Sequence, residues 1–123
     1  MNFDLDENLT SFAVSAYAEG WVRIGEQRVE EPCVVHSAGI LVEVLPPALA
    51  NLEVSHLEVI TRLKPEIVLL GTGAKQIFAD YALTEALAKQ NIALETMDTG
   101  AACRSFNILL SEARSVVAAL YMR

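Results

Sequence analysis

The stretch Ile67-Val68-Leu69-Leu70-Gly71-Thr72-Gly73 (IVLLGTG, residues 67–73) decides the fold class of this chain. Its first four residues are apolar without interruption, which is typical of a strand that is covered on both faces. The Gly-Thr-Gly that follows predicts a tight turn directly after the strand, since glycines allow backbone conformations that other residues avoid. The stretch therefore predicts a buried strand of an α/β protein, with a turn at its carboxyl end.

Outward from this strand, the chain divides near Pro46-Pro47 into a strand-rich front half and a back half in which strands and helices alternate. Ser55 and Glu58 predict a capping box for a first helix, and Thr84 predicts the cap of a second. The predicted elements are strands at 12–17, 21–24, 28–31, 33–36 and 40–44, a helix from 55, a strand at 67–70, a helix at 85–90, a strand at 93–97, a helix from 99 and a strand at 115–122. Alternation of strands and helices implies parallel pairing with helices on the sheet faces. We expect one α/β domain over residues 1–123, with a central mixed β-sheet and an antiparallel front portion.

The composition excludes several classes of protein. A hydrophobic content of 53% with 20% charged residues rules out a disordered chain. The apolar runs are shorter than the roughly 18 to 20 residues of a membrane span, and the acidic N-terminus resembles neither a signal nor a transit peptide. The net charge of −7 opposes a phosphate backbone, so we expect no nucleic-acid partner. Cys33 and Cys103 form neither a disulfide framework nor a zinc spacing, and we expect a reduced, cytoplasmic protein.

Residues 98–100 form an Asp-Thr-Gly triplet, the signature of aspartic proteases, whose retroviral forms are short chains that dimerise. In a protease the triplet lies in a loop that extended chain follows, and its aspartate shares a proton with a second carboxylate. Here good helix formers follow Gly100 instead. The pattern favours Asp98 or Thr99 as the N-cap of a helix over a catalytic role.

Two segments taken together are more specific. The Ile67–Gly73 strand with its GTG, and MDTGAACRSFNILLSEAR at residues 97–114, stand in an order and spacing that resemble the Mth938-like family of small proteins of unknown function (DUF498). GILVEVLPPALANLEVSHL, at residues 39–57, is similar to the middle section of that family. The resemblance implies a three-layer α/β fold with a mixed central sheet and no established reaction. It also implies eukaryotic relatives that help to assemble respiratory complex I.

The candidate site residues lie in or next to the two segments that carry this resemblance. Gly71, Thr72, Gly73 and Lys75 follow a strand end, where α/β proteins place ligands. Thr99, Gly100, Arg104 and Asn107 stand at a helix start, whose free N–H groups suit an anion. The alternatives to ligand binding are structural roles. The first group then forms a tight turn, and Asn107 forms a hydrogen bond to the backbone near Gly71 or Thr72. Cys103 is either a reactive thiol or a small core residue.

No cofactor or metal is expected. The dinucleotide fingerprint requires a third glycine where Gln76 stands, a P-loop is absent, and His36 and His56 lack the spacing of metal ligands. Two hypotheses remain. The first is a non-catalytic interaction or assembly module with a protein partner. The second is a protein or enzyme that binds a small molecule or anion between the Gly71-Thr72-Gly73 turn and the start of the helix at residues 99–107.

Overall fold

The centre of the fold is a five-stranded mixed β-sheet, seen in a computed structural model that describes residues 12–122. In chain order the strands are β1 (Val14–Ala18), β2 (Trp21–Ile24), β3 (Gln27–Val29), β4 (Cys33–His36), β5 (Gly39–Val42), β6 (Ile67–Thr72), β7 (Ala93–Met97) and β8 (Val116–Tyr121). The helices are α1 (Glu58–Thr61), α2 (Tyr81–Ala88) and α3 (Thr99–Ser111), and two 3-10 turns at Leu49–Asn51 and Val54–Leu57 precede α1.

Strand β6 occupies the interior of the sheet, whose order is β5-β4-β8-β6-β7. It pairs in parallel with both β7 and β8, while β4 is antiparallel to β8 and to β5. Val68, Leu69 and Leu70 are each at most 2% exposed, which confirms the prediction of a strand covered on both faces. The mixed sheet with helices on its faces and an antiparallel front portion is the predicted fold class.

One face of this sheet is covered by α3 and by a second sheet. Strands β1, β2 and β3 form two successive antiparallel hairpins, separate from the large sheet. Val22 and Ile24 of β2 enter one core cluster with Phe106 of α3 and Leu120 of β8. Phe106 is fully buried, and truncating such a side chain to alanine costs about 3 to 5 kcal/mol. The hairpins and α3 therefore share one hydrophobic core.

The opposite face carries a second core. Val68, Leu70 and Tyr121 point to this side, where Ile60 of α1 and Leu87 of α2 pack against them. The sheet therefore lies between two packed layers, which is the three-layer arrangement that the family resemblance implies.

Two predicted helix starts were wrong. The capping box of the first helical segment joins Glu53 and His56 rather than Ser55 and Glu58, and the segment begins as a 3-10 turn. The second helix begins at Tyr81 with Asp80 as its N-cap, because the Asp80 carboxylate accepts the Ala82 N–H at 3.0 Å. A carboxylate next to a free N–H caps more strongly than the Thr84 hydroxyl, which lies inside the helix.

Candidate functional site

The Gly71-Thr72-Gly73 stretch is mostly strand rather than turn, contrary to the prediction. Gly71 and Thr72 are the last residues of β6, and only Gly73, with φ 100°, leaves the strand. A Cβ added at Gly71 would lie 3.0 Å from the Thr99 hydroxyl and 3.2 Å from the Ala102 Cβ. Gly71 is therefore required because α3 approaches the strand closely.

Thr99 joins three elements at the carboxyl end of the sheet. Its hydroxyl accepts the Gly73 N–H at 2.8 Å and donates to the Tyr121 carbonyl, and its own N–H donates to the Gly73 carbonyl at 2.9 Å. Thr99 is 7% exposed, so these bonds are protected from water. One hydroxyl thus connects the end of β6, the start of α3 and the end of β8.

Asp98 is the N-cap of α3, which confirms the predicted helix start and selects Asp98 over Thr99 as the cap. Its Oδ1 accepts the Ala101 N–H at 2.9 Å, and helix follows directly through Ser111. The extended chain that follows an aspartic-protease triplet is absent from this segment. The carboxylate is already used by the backbone and supplies the negative charge that a helix N-terminus favours.

Next to this cap, Tyr17 of β1 and Arg104 of α3 meet above Gly100. An Arg104 guanidinium nitrogen donates to the Tyr17 hydroxyl at 2.6 Å. A Cβ at Gly100 would lie only 2.9 Å from the Tyr17 ring, a distance that real Cβ atoms do not show. Gly100 is therefore the residue that lets the ring of β1 lie against the first turn of α3.

These residues form an open groove of about 330 Å³ at the carboxyl end of the sheet. Its walls include Tyr17, Glu19, Gly73, Thr99, Gly100 and Arg104. Glu19 adds a carboxylate to the walls of the same groove. Within residues 12–122 no ion pair involves Arg104.

The structure brings together half of the predicted site residues. Gly73, Thr99, Gly100 and Arg104 line the groove, whereas Gly71, Thr72, Lys75 and Asn107 do not. The Thr72 hydroxyl lies within 2.5 Å of the Lys75 carbonyl and accepts the Ile77 N–H at 3.1 Å, so it organises the following loop.

The partner expected for Asn107 was wrong. The Asn107 side chain accepts the Val14 N–H and donates to the Val14 carbonyl, both at 2.8 Å, and does not reach Gly71 or Thr72. The cause is the front sheet, which packs against α3 and brings the edge of β1 to this turn of the helix. Asn107 completes the hydrogen bonding of β1 as a neighbouring strand would.

Sequence reasoning missed Tyr17 and Glu19 as groove residues. Tyr17 and its partner Arg104 are 87 positions apart in the sequence, and no local spacing predicts their contact. The predicted strand at 12–17 comes close to β1, but a strand assignment does not say which helix the strand will contact.

Both cysteines lie in the core that α3 shares with the sheets. Cys33 is fully buried and Cys103 is 1% exposed. Burial raises the pKa of the Cys33 thiol to about 12, with a smaller contribution from Cys103. Burial likewise raises the pKa of the Cys103 thiol to about 12, although Arg104 opposes the shift. Cys103 is therefore a small core residue whose thiol stays protonated, not an activated nucleophile.

The described residues contain no cluster of three or more side chains that could hold a metal ion. Between residues 12 and 122, no helix has the length and apolar character needed to cross a membrane.

A different surface carries exposed apolar side chains. Ile77, Phe78 and Tyr81, called here the aromatic patch, lie in the loop after β6 and at the start of α2, and they are 53%, 82% and 72% exposed. Ile77 and Phe78 border a shallow cavity of about 210 Å³ together with Leu49 and Leu83. These residues carry no signal in the sequence, because an apolar pair in a loop has no periodicity.

A mixed sheet between two packed layers, with its candidate groove beside the start of α3, defines this chain as an α/β protein of the Mth938-like class. The chain belongs to the DUF498/DUF598 family, described as proteins of unknown function, whose family model matches residues 14–121.

Solved structures agree with this assignment. The crystal structure of a Bordetella parapertussis protein superposes with a TM-score of 0.81 at 32% identity, covering 90% of this chain and 95% of that one. A Bordetella pertussis protein, described as a Mth938-like domain, has a TM-score of 0.76 at 26% identity, covering 92% of this chain and 85% of that one. The predicted family resemblance is confirmed.

Curated relatives have two different descriptions. The chain is 35% identical over 66 residues to a 13 kDa major membrane protein of Francisella tularensis, with 54% of each chain covered. It is 33% identical over 117 residues to NADH dehydrogenase (ubiquinone) 1 alpha subcomplex assembly factor 3 of Danio rerio, covering 87% of this chain and 62% of the relative. The chain thus spans less than two thirds of the length of these relatives.

Proposed function

We propose that this chain is a non-catalytic interaction module of the assembly type, which binds a protein partner through the aromatic patch. The observation that carries the proposal is the 82% exposure of Phe78 between Ile77 and Tyr81, which are also exposed. Contiguous exposed apolar side chains of this kind mark interaction sites, and aromatic residues dominate the binding energy of protein interfaces.

The loop that carries the patch is held in place by polar contacts. The Ile77 N–H donates to the Thr72 hydroxyl at 3.1 Å, and the Gln76 side-chain amide donates to the Thr96 carbonyl at 3.1 Å. Asp80 caps the helix that follows. Because the backbone is already ordered, binding through the patch requires little further loss of conformational entropy.

The energy available to such a contact is considerable. Full burial of a phenylalanine side chain contributes about 1.5 to 3 kcal/mol, and Ile77 and Tyr81 add comparable area. In the unbound protein the same side chains contribute little to folding, because they face water. Their exposure in an anchored loop is best explained by a partner that covers them.

Apart from Glu19, the polar side chains named in the groove beside α3 are engaged within the protein, which supports a role other than catalysis. Its Thr99 hydroxyl and Asp98 carboxylate are engaged by backbone groups, and the Arg104 guanidinium bonds to Tyr17. General acid–base or nucleophilic catalysis requires a group that is free to meet the substrate. The description of the Danio rerio relative as an assembly factor supports the same proposal.

Site-specific photocrosslinking in cells of the source organism tests the proposal. A photoreactive phenylalanine analogue at Phe78 is expected to crosslink saturably to one protein, and Tyr81→Ala is expected to abolish the product. The control places the analogue at Ile108, which is 58% exposed on α3 and outside the patch. Equal labelling from both positions, or none from Phe78, would refute the interaction surface.

A second candidate function is the binding of a small anion or polar metabolite in the groove. The observation that favours it is the Arg104 guanidinium in an open space of about 330 Å³ beside the start of α3. Gly73, Thr99, Gly100 and Arg104 line this site, while Gly71, Thr72, Lys75 and Asn107 lie outside it. A thermal-shift screen distinguishes the two functions, since a ligand that binds the native state raises the unfolding temperature. Arg104→Gln is expected to remove that increase.

We propose further that the protein resides in a reducing, cytoplasmic compartment. Cys33 and Cys103 are free thiols, and proteins of oxidising compartments commonly pair their cysteines. Cell fractionation with an antibody to the native protein tests this placement. Recovery in the membrane fraction after a high-salt wash would contradict it.

A further inference from the structure

The two edge strands of the five-stranded sheet differ in how they are protected from pairing with another chain. Strand β7 at one end presents the charged Glu95, and the Gln76 side chain covers its Thr96 carbonyl. Strand β5 at the other end, Gly39–Val42, contains neither a charged residue nor a proline. Proteins usually guard exposed edges with such residues, because an unguarded edge offers its backbone to another strand. The edge of β5 is therefore the one that is open to pairing.

The register of the β4–β5 hairpin shows which backbone groups face outward. His36 pairs with Gly39 across a two-residue turn, and Val34 pairs with Leu41. Hydrogen-bonded and non-bonded pairs alternate along an antiparallel ladder, and a two-residue turn is closed by a bonded pair. Ile40 and Val42 therefore direct their N–H and C=O groups away from β4. Neither residue has a further hydrogen bond to the described part of the chain.

The surroundings of this edge are acidic. Val42, which is 38% exposed, borders a groove of about 300 Å³ whose other wall includes Arg28, Glu30 and Glu31. Arg28 pairs with Glu30 at 2.8 Å, so its charge is compensated. Glu31 and the exposed Glu43 form no ion pair within residues 12–122. The edge thus combines an open backbone with uncompensated negative charge.

We propose that the β5 edge binds an extended, basic segment of another protein, which adds to the sheet as an antiparallel strand beside Ile40 and Val42. Backbone hydrogen bonds supply the affinity in this mode of recognition, and side chains supply the specificity. Lysine or arginine residues of the segment meet Glu31 and Glu43. A second copy of this chain fits less well, because it brings the same net charge of −7 to an acidic edge. This edge is separate from the aromatic patch, so the inference stands or falls independently of the proposed function.

Amide hydrogen exchange, measured by NMR on the whole chain, tests the inference. The probe is the blocked heptapeptide KVKVKVK, and the matched control is EVEVEVE. The basic peptide is expected to slow exchange of the Ile40 and Val42 amides by about tenfold, since strand pairing protects an amide from exchange. The Leu41 amide, which faces β4, is expected to stay unchanged. The acidic peptide is expected to have no effect.

Variants separate backbone pairing from charge. Val42→Pro removes the outward N–H without breaking a bond of the β4–β5 ladder, and Val42→Thr is its control. Val42→Pro is expected to abolish the protection of Ile40, while Val42→Thr retains it. The double variant Glu31→Gln, Glu43→Gln is expected to weaken binding of the basic peptide and to reduce its dependence on salt.

Several results would overturn the inference. They are equal effects of the two peptides, no effect of either, or unchanged binding by Val42→Pro in a protein whose other amides show a native fold. Protection of Ile40 and Val42 in the free protein would also overturn it, by showing that the edge is already occupied. If that protection increases with protein concentration, the occupant is a second copy.

Discussion

Replacing Thr99 with valine removes one hydroxyl and leaves a side chain of nearly the same shape. The hydroxyl accepts the Gly73 N–H and donates to the Tyr121 carbonyl, and both backbone groups lie in buried residues. Each group left without a partner in the interior costs about 1 to 3 kcal/mol. We expect Thr99→Val to lower the free energy of unfolding by about 2 to 6 kcal/mol. Stabilities of proteins are about 5 to 15 kcal/mol, so this is a large fraction of the total.

Urea unfolding followed by circular dichroism measures this change, with extrapolation to water. The control is Thr99→Ser, which keeps the hydroxyl and loses one methyl group, at a cost of about 0.8 kcal/mol. In the valine variant the Gly73 amide is also expected to exchange faster with solvent. If Thr99→Val destabilises the protein no more than Thr99→Ser does, the hydroxyl does not hold the three elements together and the reasoning is refuted.

Three further predictions concern the same helix and its core. Asp98→Ala is expected to lower the free energy of unfolding by about 1 kcal/mol, while Asp98→Asn is nearly neutral because asparagine caps equally well. Peptide cleavage that Asp98→Asn abolishes would contradict the capping role. Asn107→Leu leaves the Val14 N–H and carbonyl without partners and is expected to cost about 1 to 3 kcal/mol in urea unfolding, whereas an unchanged midpoint would show that water replaces the amide. Burial raises the pKa of the Cys33 and Cys103 thiols from 9.0 to about 12, so the unfolded state loses these protons first as the pH rises. Stability is therefore expected to be full below pH 9 and to fall as the pH rises towards 12, and a flat profile from pH 8 to 11 would exclude the shift.

The elements that the sequence predicts best are those with a complete local signal. Strand β7 and the start of α3 match the predicted residues, because Asp98 and a run of helix formers directly follow the strand. Helix α2 matches less well. Its true cap, Asp80, precedes an exposed tyrosine that an amphipathic pattern does not include.

Half of the site residues that the sequence predicts do line the groove, for a related reason. Gly73, Thr99, Gly100 and Arg104 belong to two local motifs at strand ends, and parallel strands place their carboxyl ends at one edge of the sheet. Tyr17 was not predictable, since it reaches Arg104 only because the front hairpins fold over α3. Gly71 resembles a turn glycine in sequence, and only the approach of Ala102 identifies it as a packing glycine.

The α/β class, the buried central strand and a helix cap at Asp98 or Thr99 all follow from the amino-acid sequence alone. These features depend on interactions between residues a few positions apart, which composition, periodicity and cap chemistry record directly. Three further features follow only from the packing of the folded chain: Asn107 pairs with Val14, Phe78 stays in water and β5 forms an open edge. Each of these depends on which strands lie side by side and which surfaces remain uncovered. Contacts across some 90 positions, such as that of Asn107, leave no trace in the neighbouring residues.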